Sequence, residues 1–198
     1  MKKLITLSAI VAICLGAQAQ TTKLTVKEDA FIQGGNTSDT AFGETSPKNL
    51  RIFNSEADSK YARITYLKFE TPKKLNKINK ATLHIPLKVY ENKSNPEATF
   101  HLEVYAVEND KWRELSITWS DKLALGALVG SMEVPQSKDG KNQKLTISLD
   151  AAKVSELFNG KKDRKITLAL VNTNFNKISS MAPSKEQSPK SASYLIIE

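Results

Sequence analysis

The chain has 198 residues, with 29 Lys and Arg against 21 Asp and Glu, a formal net charge of +8 and a single cysteine, Cys14. A chain of this length can bury about 70% of its unfolded surface without disulfide staples, and no stretch approaches the roughly 20 apolar residues that span a bilayer. Beyond Cys14 there is no cysteine nucleophile, serine elbow, phosphate-binding glycine loop or zinc-ligand spacing, which removes several common enzyme classes.

At the start, Lys2 and Lys3 precede an apolar run over residues 4–15 and the small-x-small sequence Ala17-Gln18-Ala19. This is the pattern of a secretory signal peptide over residues 1–19. The expected exported chain, residues 20–198, keeps 27 basic and 21 acidic residues, for a net charge of +6. That balance suits both a polyanionic partner outside the cell and ordinary solubility. Nucleic acid is a poor partner for an exported protein.

Short alternating runs bounded by turn residues predict strands near 23–27, 29–33, 49–53, 62–70, 81–90, 99–107, 116–119, 129–134, 144–149, 165–172 and 193–197. In the run over 81–90, Ala81, Leu83, Ile85, Leu87 and Val89 point one way, while Thr82, His84, Pro86, Lys88 and Tyr90 point the other. Pro86 argues for an edge or a bulge there. One helix is predicted at "DAAKVSELFNG", capped by Asp150 and stopped by Gly160. Many short strands, one helix and no repeat or linker predict an all-β fold, a two-sheet antiparallel β-sandwich of jelly-roll type, in one domain.

Six segments stand in order along the chain: "EDAFIQGGNTSDTAFG", "NLRIF", "YARITYLKFE", "KATLHIPL", "EVYAVENDKWRELSITWSD" and "MAPSKEQSPKSASYLIIE". Together they resemble the DNRLRE domain, also classed as carbohydrate-binding module family 96. Ala41 departs from the asparagine common before the aromatic-glycine pair, and Glu70 replaces the usual aspartate. The resemblance implies a secreted β-sandwich that binds an acidic polysaccharide, alginate foremost, and that works beside a polysaccharide-degrading enzyme.

In the first loop, Gly34 and Gly35 permit unusual backbone conformations, and Asn36 to Thr40 offer short polar side chains. Such a loop either meets a ligand or closes the end of the sandwich. Asp29, Asp39 and Glu44 could supply oxygens to a structural calcium; no other cofactor is expected. Arg51 alternates with Leu50 and Ile52, and Lys68 faces away from Leu67 and Phe69, which predicts basic rows on a sheet face. Arginine can fork onto a carboxylate, and lysine adds a less directional charge. The expected ligand-binding residues are Gln33, Asn49, Arg51, Lys60, Arg63 and Lys68, joined by Lys48 and Lys185. Trp112 and Trp119 are expected in the core, and Tyr61, Tyr66, Tyr90 and Tyr105 are the candidate outward rings. An alternative reading is a polysaccharide lyase, in which paired neighbouring strands would bring His84 and Tyr105 together as acid and base. A structural surface module without glycan specificity is the third.

Overall fold

A computed structural model describes residues 21–54, 62–75, 77–159, 163–174 and 178–198. Its elements run β1 (Thr22–Thr25), β2 (Glu28–Gln33), α1 (Phe42–Thr45), β3 (Asn49–Ile52), β4 (Arg63–Glu70), β5 (Ala81–Val89), β6 (Phe100–Val107), β7 (Leu128–Val134), β8 (Gln143–Leu149), α2 (Ala151–Glu156), β9 (Lys165–Val171), β10 (Ser180–Pro183) and β11 (Tyr194–Ile197). They form two antiparallel sheets, one of β1, β3, β5, β8, β10 and β11 and the other in the order β2-β4-β9-β6-β7. The proposed leader, residues 1–19, lies outside the described residues. No helix among those described is long and apolar enough to cross a membrane.

Alternation explains how the sheets face each other. The odd positions of β5 from Ala81 to Val89 are buried with Leu67 and Phe69 of β4, Leu102 and Val104 of β6, and Leu168 and Leu170 of β9. This is one continuous layer between the sheets, as a strand period of two demands. Asp150 caps α2 by accepting hydrogen bonds from the Ala152 and Lys153 amides, and Val154 turns into the same layer.

β5 organises the first sheet. One edge pairs with β8 over Ala81 to Leu87. The other pairs with β11 over Ala81 to His84 and with β10 at Lys88 and Val89. Pro86 therefore sits inside a central strand, where an edge or bulge was expected. The Tyr90 amide donates to the Ser179 carbonyl beside β10, while the Val89 amide donates to Ser137 on the β8 side. By alternation the nitrogen of Pro86 faces the gap between β11 and β10, where no ladder bond is lost.

The second sheet has a further layer on its outer side. Residues 108–127 cross it, and Trp112, Ile117 and Trp119 pack onto Ala30, Ile32, Ile64, Tyr66, Ala169 and Val171. The strand expected over 116–119 is instead a turn, with the Ser116 and Ile117 amides donating to the Arg113 carbonyl. Its apolar alternation serves packing onto a sheet rather than pairing within one. β10 was not foreseen, because Ser180-Met181-Ala182-Pro183 holds no β-branched or aromatic residue.

Candidate functional site

The sandwich has two outer faces, and the described residues cover only one of them with a layer of this kind. Glu28, Lys68, Tyr66 and Glu103 belong to the outer side of the second sheet, beneath or beside residues 108–127. On the first sheet the outer positions include Lys23 and Thr25 of β1, Tyr194 of β11, Thr82, His84 and Lys88 of β5, Lys144 and Thr146 of β8, Met181 of β10 and Arg51 of β3. All of these are exposed or partly exposed. The six strands of that sheet contain no Asp or Glu, whereas the other sheet carries Glu28, Asp29, Glu70, Glu103 and Glu133 in its strands.

Tyrosine rings anchor two regions of the open face. His84 stacks on Tyr194 with centroids 4.5 Å apart and planes 8° from parallel, and the Lys23 ammonium lies 3.9 Å from the centre of the same tyrosine ring. Beside them is a cleft of about 380 Å3 whose lining includes Lys23, Thr25, Lys185, Lys190 and Tyr194, with one carboxylate, Glu186, from the β10–β11 connection. At the β10–β3 end a second cleft, of about 250 Å3, is lined by Arg51, Arg63, Tyr90, Ser179, Ser180 and Met181. Tyr90 is 40% exposed, and Lys88 holds its ammonium 4.8 Å from that ring's centre. Met181 is in register with both Lys88 and Arg51, so a single row crosses from β5 to β3.

The expected ligand-binding residues divide accordingly. Arg51 is exposed, near Phe31 (5.7 Å to its ring), and Arg63 reaches the same cleft while its Nε donates to Gln33 Oε1 at 2.7 Å. Gln33 in turn donates to Thr37 Oγ1 at 2.9 Å, so it positions Arg63. Asn49 is partly exposed beside Pro183 of β10, and Lys48 is exposed just before it. Lys185 lines the larger cleft, with its ammonium 2.6 Å from Glu114 Oε2. Lys60, like Tyr61, lies outside the described residues.

Lys68 requires correction. It does face away from Leu67 and Phe69, but that is the covered face, and the residue is 2% exposed. Its ammonium pairs with Glu28 Oε1 at 2.8 Å, donates to the Trp112 carbonyl at 2.5 Å and lies 4.4 Å from the Trp112 ring centre. Burial works to raise the Glu28 pKa, but the Lys68 hydrogen bond and charge and the Glu114 amide outweigh it and leave the pKa lowered. Tyr66, expected outward, is fully buried, and burial pushes its phenol up to about 12 while its oxygen accepts from the Leu123 amide. Trp112 and Trp119 are buried as expected.

His84 and Tyr105 are not neighbours either. β5 and β6 belong to different sheets. His84 is on the open outer face, where Thr146 Oγ1 lies 3.3 Å from its Nδ1, whereas Tyr105 packs into the layer outside the second sheet. The two therefore point away from each other across the sandwich. His101 instead meets Glu133, with Nδ1 2.5 Å from Oε1.

The first loop fastens the covering segment. Gly35 has a φ of 70°, which glycine adopts freely, and Ser120 donates to Asp39 Oδ1 at 2.6 Å and through its amide to the Ser38 carbonyl at 3.0 Å. Phe42 stacks on Phe31 at 4.6 Å. A Cβ on Gly43 would stand 1.9 Å from the Glu114 carbonyl oxygen, so the glycine lets that segment pass.

Among the described residues one sheet face of the β-sandwich lies uncovered and carries clefts and tyrosine rings, an arrangement that suits a carbohydrate-binding module. The match of the family model for carbohydrate-binding module family 96 over residues 20–198 places the chain in that family. No curated protein matches it. Among solved structures it is similar to latent apple tyrosinase, at 9% identity and a TM-score of 0.39, over 84% of this chain and 33% of that one. The chain thus spans about a third of the apple enzyme's length. It is also similar to the K1 and K3 cleaved adhesin domains of Lys-gingipain from Porphyromonas gingivalis W83. The K1 domain has 11% identity and a TM-score of 0.36, with 91% of this chain and 98% of that one covered. For K3 the values are 12%, 0.36, 88% and 94%.

Proposed function

We propose that the protein is exported and binds an acidic polysaccharide, alginate or a related uronate polymer, along the outer face of the β1/β11/β5/β8/β10/β3 sheet. One observation carries the reading: the six strands of that sheet present Lys23, Arg51, Lys88 and Lys144 and not a single carboxylate. A neutral glycan gains nothing from such segregation, whereas a polymer with one carboxylate per sugar meets no like charge along the strands. The exposed Tyr90 ring offers an apolar surface to a sugar, and Arg51 and Arg63 offer forks to carboxylates.

Affinity arithmetic favours an extended ligand. An exposed ion pair contributes about 0.2 to 1 kcal/mol, while micromolar binding needs about 8 kcal/mol. Several sugars must therefore be engaged at once, which both clefts and the Lys88 row together allow. A polysaccharide-degrading enzyme is the natural companion of such a module.

Calorimetric titration with alginate and with a neutral glucan, at low and at physiological salt, tests the reading. Alginate should bind and weaken as salt rises, because the exposed charges are screened beyond about 8 to 10 Å. Equal affinity for the neutral glucan, or no salt dependence, would contradict it. Steady release of unsaturated uronate would instead favour a lyase.

A further inference from the structure

Three carboxylates from distant parts of the chain converge outside the open face. Asp29 comes from β2, Glu114 from the covering segment and Glu186 from the connection between β10 and β11, and their ligand oxygens all lie within 4.8 Å of one another. Asp29 is 3% exposed and Glu114 8%. Among the described residues this is the one group of three or more His, Cys, Asp or Glu side chains so placed. Asp39 and Glu44, expected to join Asp29, are not in it.

Asp29 is held but not satisfied. Its Oδ2 accepts from the Lys185 amide at 2.9 Å, its own amide donates to Glu114 Oε2 at 3.3 Å, and its Oδ1 has no hydrogen-bond partner. A buried carboxylate oxygen left without a partner is uncommon in a folded protein. The local charge is also unbalanced. Against three carboxylates stands the ammonium of Lys185, which touches Glu114 and Glu186. If all three are ionised, one ammonium leaves the cluster two negative charges in excess, and a divalent cation in its place would leave only one.

We propose that Asp29, Glu114 and Glu186 bind a calcium ion, which draws in the free Oδ1 of Asp29 and displaces the Lys185 ammonium toward solvent. The donors are all oxygens, the set that hard cations prefer, and contain neither the nitrogen nor the sulfur that zinc or copper would select. Oxygens each about 2.3 to 2.6 Å from one ion can stand no more than about 5 Å apart, and the cluster already meets that limit. Solvent completes the coordination shell. The Lys185 side chain, 23% exposed at the cleft rim, has room to withdraw. The ion would tie β2, the covering segment and the β10–β11 connection together at one point.

The test needs no glycan, so its outcome is independent of the polysaccharide reading. Purified protein stripped with EDTA is titrated with calcium chloride by calorimetry and followed by thermal unfolding, with magnesium chloride in parallel. One calcium per chain should bind, and Tm should rise by about 5 to 10 °C at a calcium concentration on the order of 100 Kd. Magnesium should do much less, because it demands a stricter octahedral shell. Asp29→Asn should weaken calcium binding at least tenfold. Should that variant fold poorly, the exposed Glu186→Gln must show the same loss with an unchanged calcium-free Tm. Lys185→Met, which removes the competing ammonium, should bind calcium more tightly than the parent. No binding heat and no Tm shift in the parent, or a shift that survives both carboxylate variants, would overturn the site and leave Lys185 as the permanent counter-ion.

Discussion

The outer faces of the two sheets began with similar sequence material and ended in opposite roles. Lys68 on β4 and Arg51 on β3 each alternate with apolar neighbours that point into the sandwich. Both consequently face outward. Yet Lys68 is sealed under Trp112, with Glu28 as its partner, while Arg51 stands exposed at the mouth of a cleft. Alternation sets the direction of a side chain. Whether anything lies over that side is decided by a segment far away in sequence, here residues 108–127.

The comparison can be broken most forcefully on the covered face. Trp119→Ala should lose about 3 to 5 kcal/mol of stability through the cavity it leaves. Lys68→Met should cost about 3 kcal/mol, because it removes the buried cation of the Glu28 carboxylate and leaves only the exposed Arg113, 3.9 Å away. Urea unfolding reads both. Glycan affinity of whatever folded protein remains should match the parent, so a specific loss of binding with stability intact would place the binding surface on the wrong sheet.

A smaller effect is expected on the open face. The double variant Arg51→Ala, Lys88→Ala should keep its unfolding midpoint, since exposed substitutions usually stay within about 0.5 kcal/mol. Its affinity for alginate should fall about tenfold, from the loss of two exposed contacts worth about 0.2 to 1 kcal/mol each. Calorimetry on parent and variant checks this. A variant that binds normally would remove the Lys88–Arg51 row from the site.

The smallest effect sharpens the contrast through pH. The Glu28 pKa is lowered below its usual 4.5 in the folded protein, so its contribution is present above 4.5 and is lost as pH falls through the folded value. Stability should therefore decline below about pH 4.5, and the part of that decline due to Glu28 should shrink in Lys68→Met, with the Glu114 amide and Arg113 left to favour the carboxylate. An unchanged acid slope in that variant would mean that Lys68 does not set the Glu28 charge.

Much of the sandwich was legible because its signals are local. The odd positions of β5, the Asp150 cap and the turn residues between strands all act over a few residues. Burial of Trp112 and Trp119 was expected from their place around Ile117 and from the family resemblance of that segment. Other features depend on contacts far apart in sequence. β10 is recognisable only as the filler between β5 and β3, and His84 and Tyr105 are separated because β5 and β6 enter different sheets. The open face was only partly visible: Arg51 and Tyr90 were singled out and Lys88 was read as outward on its strand, but Lys23 and Tyr194 were not named for it. Lys23 and Tyr194 come together because β1 pairs with β11 across almost the whole chain. A count of charge by strand would have hinted at this face, since all the strand carboxylates fall in the other sheet.

The central claim is that the carboxylate-free sheet face meets the glycan. Backbone amide chemical shifts, followed as an alginate oligosaccharide is added to labelled protein, test it directly. The account predicts that shifts gather on β1, β11, β5, β10 and β3, around Lys23, Tyr194, His84, Lys88 and Arg51, with β6, β7 and residues 108–127 unmoved. Shifts gathered on β6, β7 and the covering segment, with Tyr194 and Arg51 silent, would contradict it.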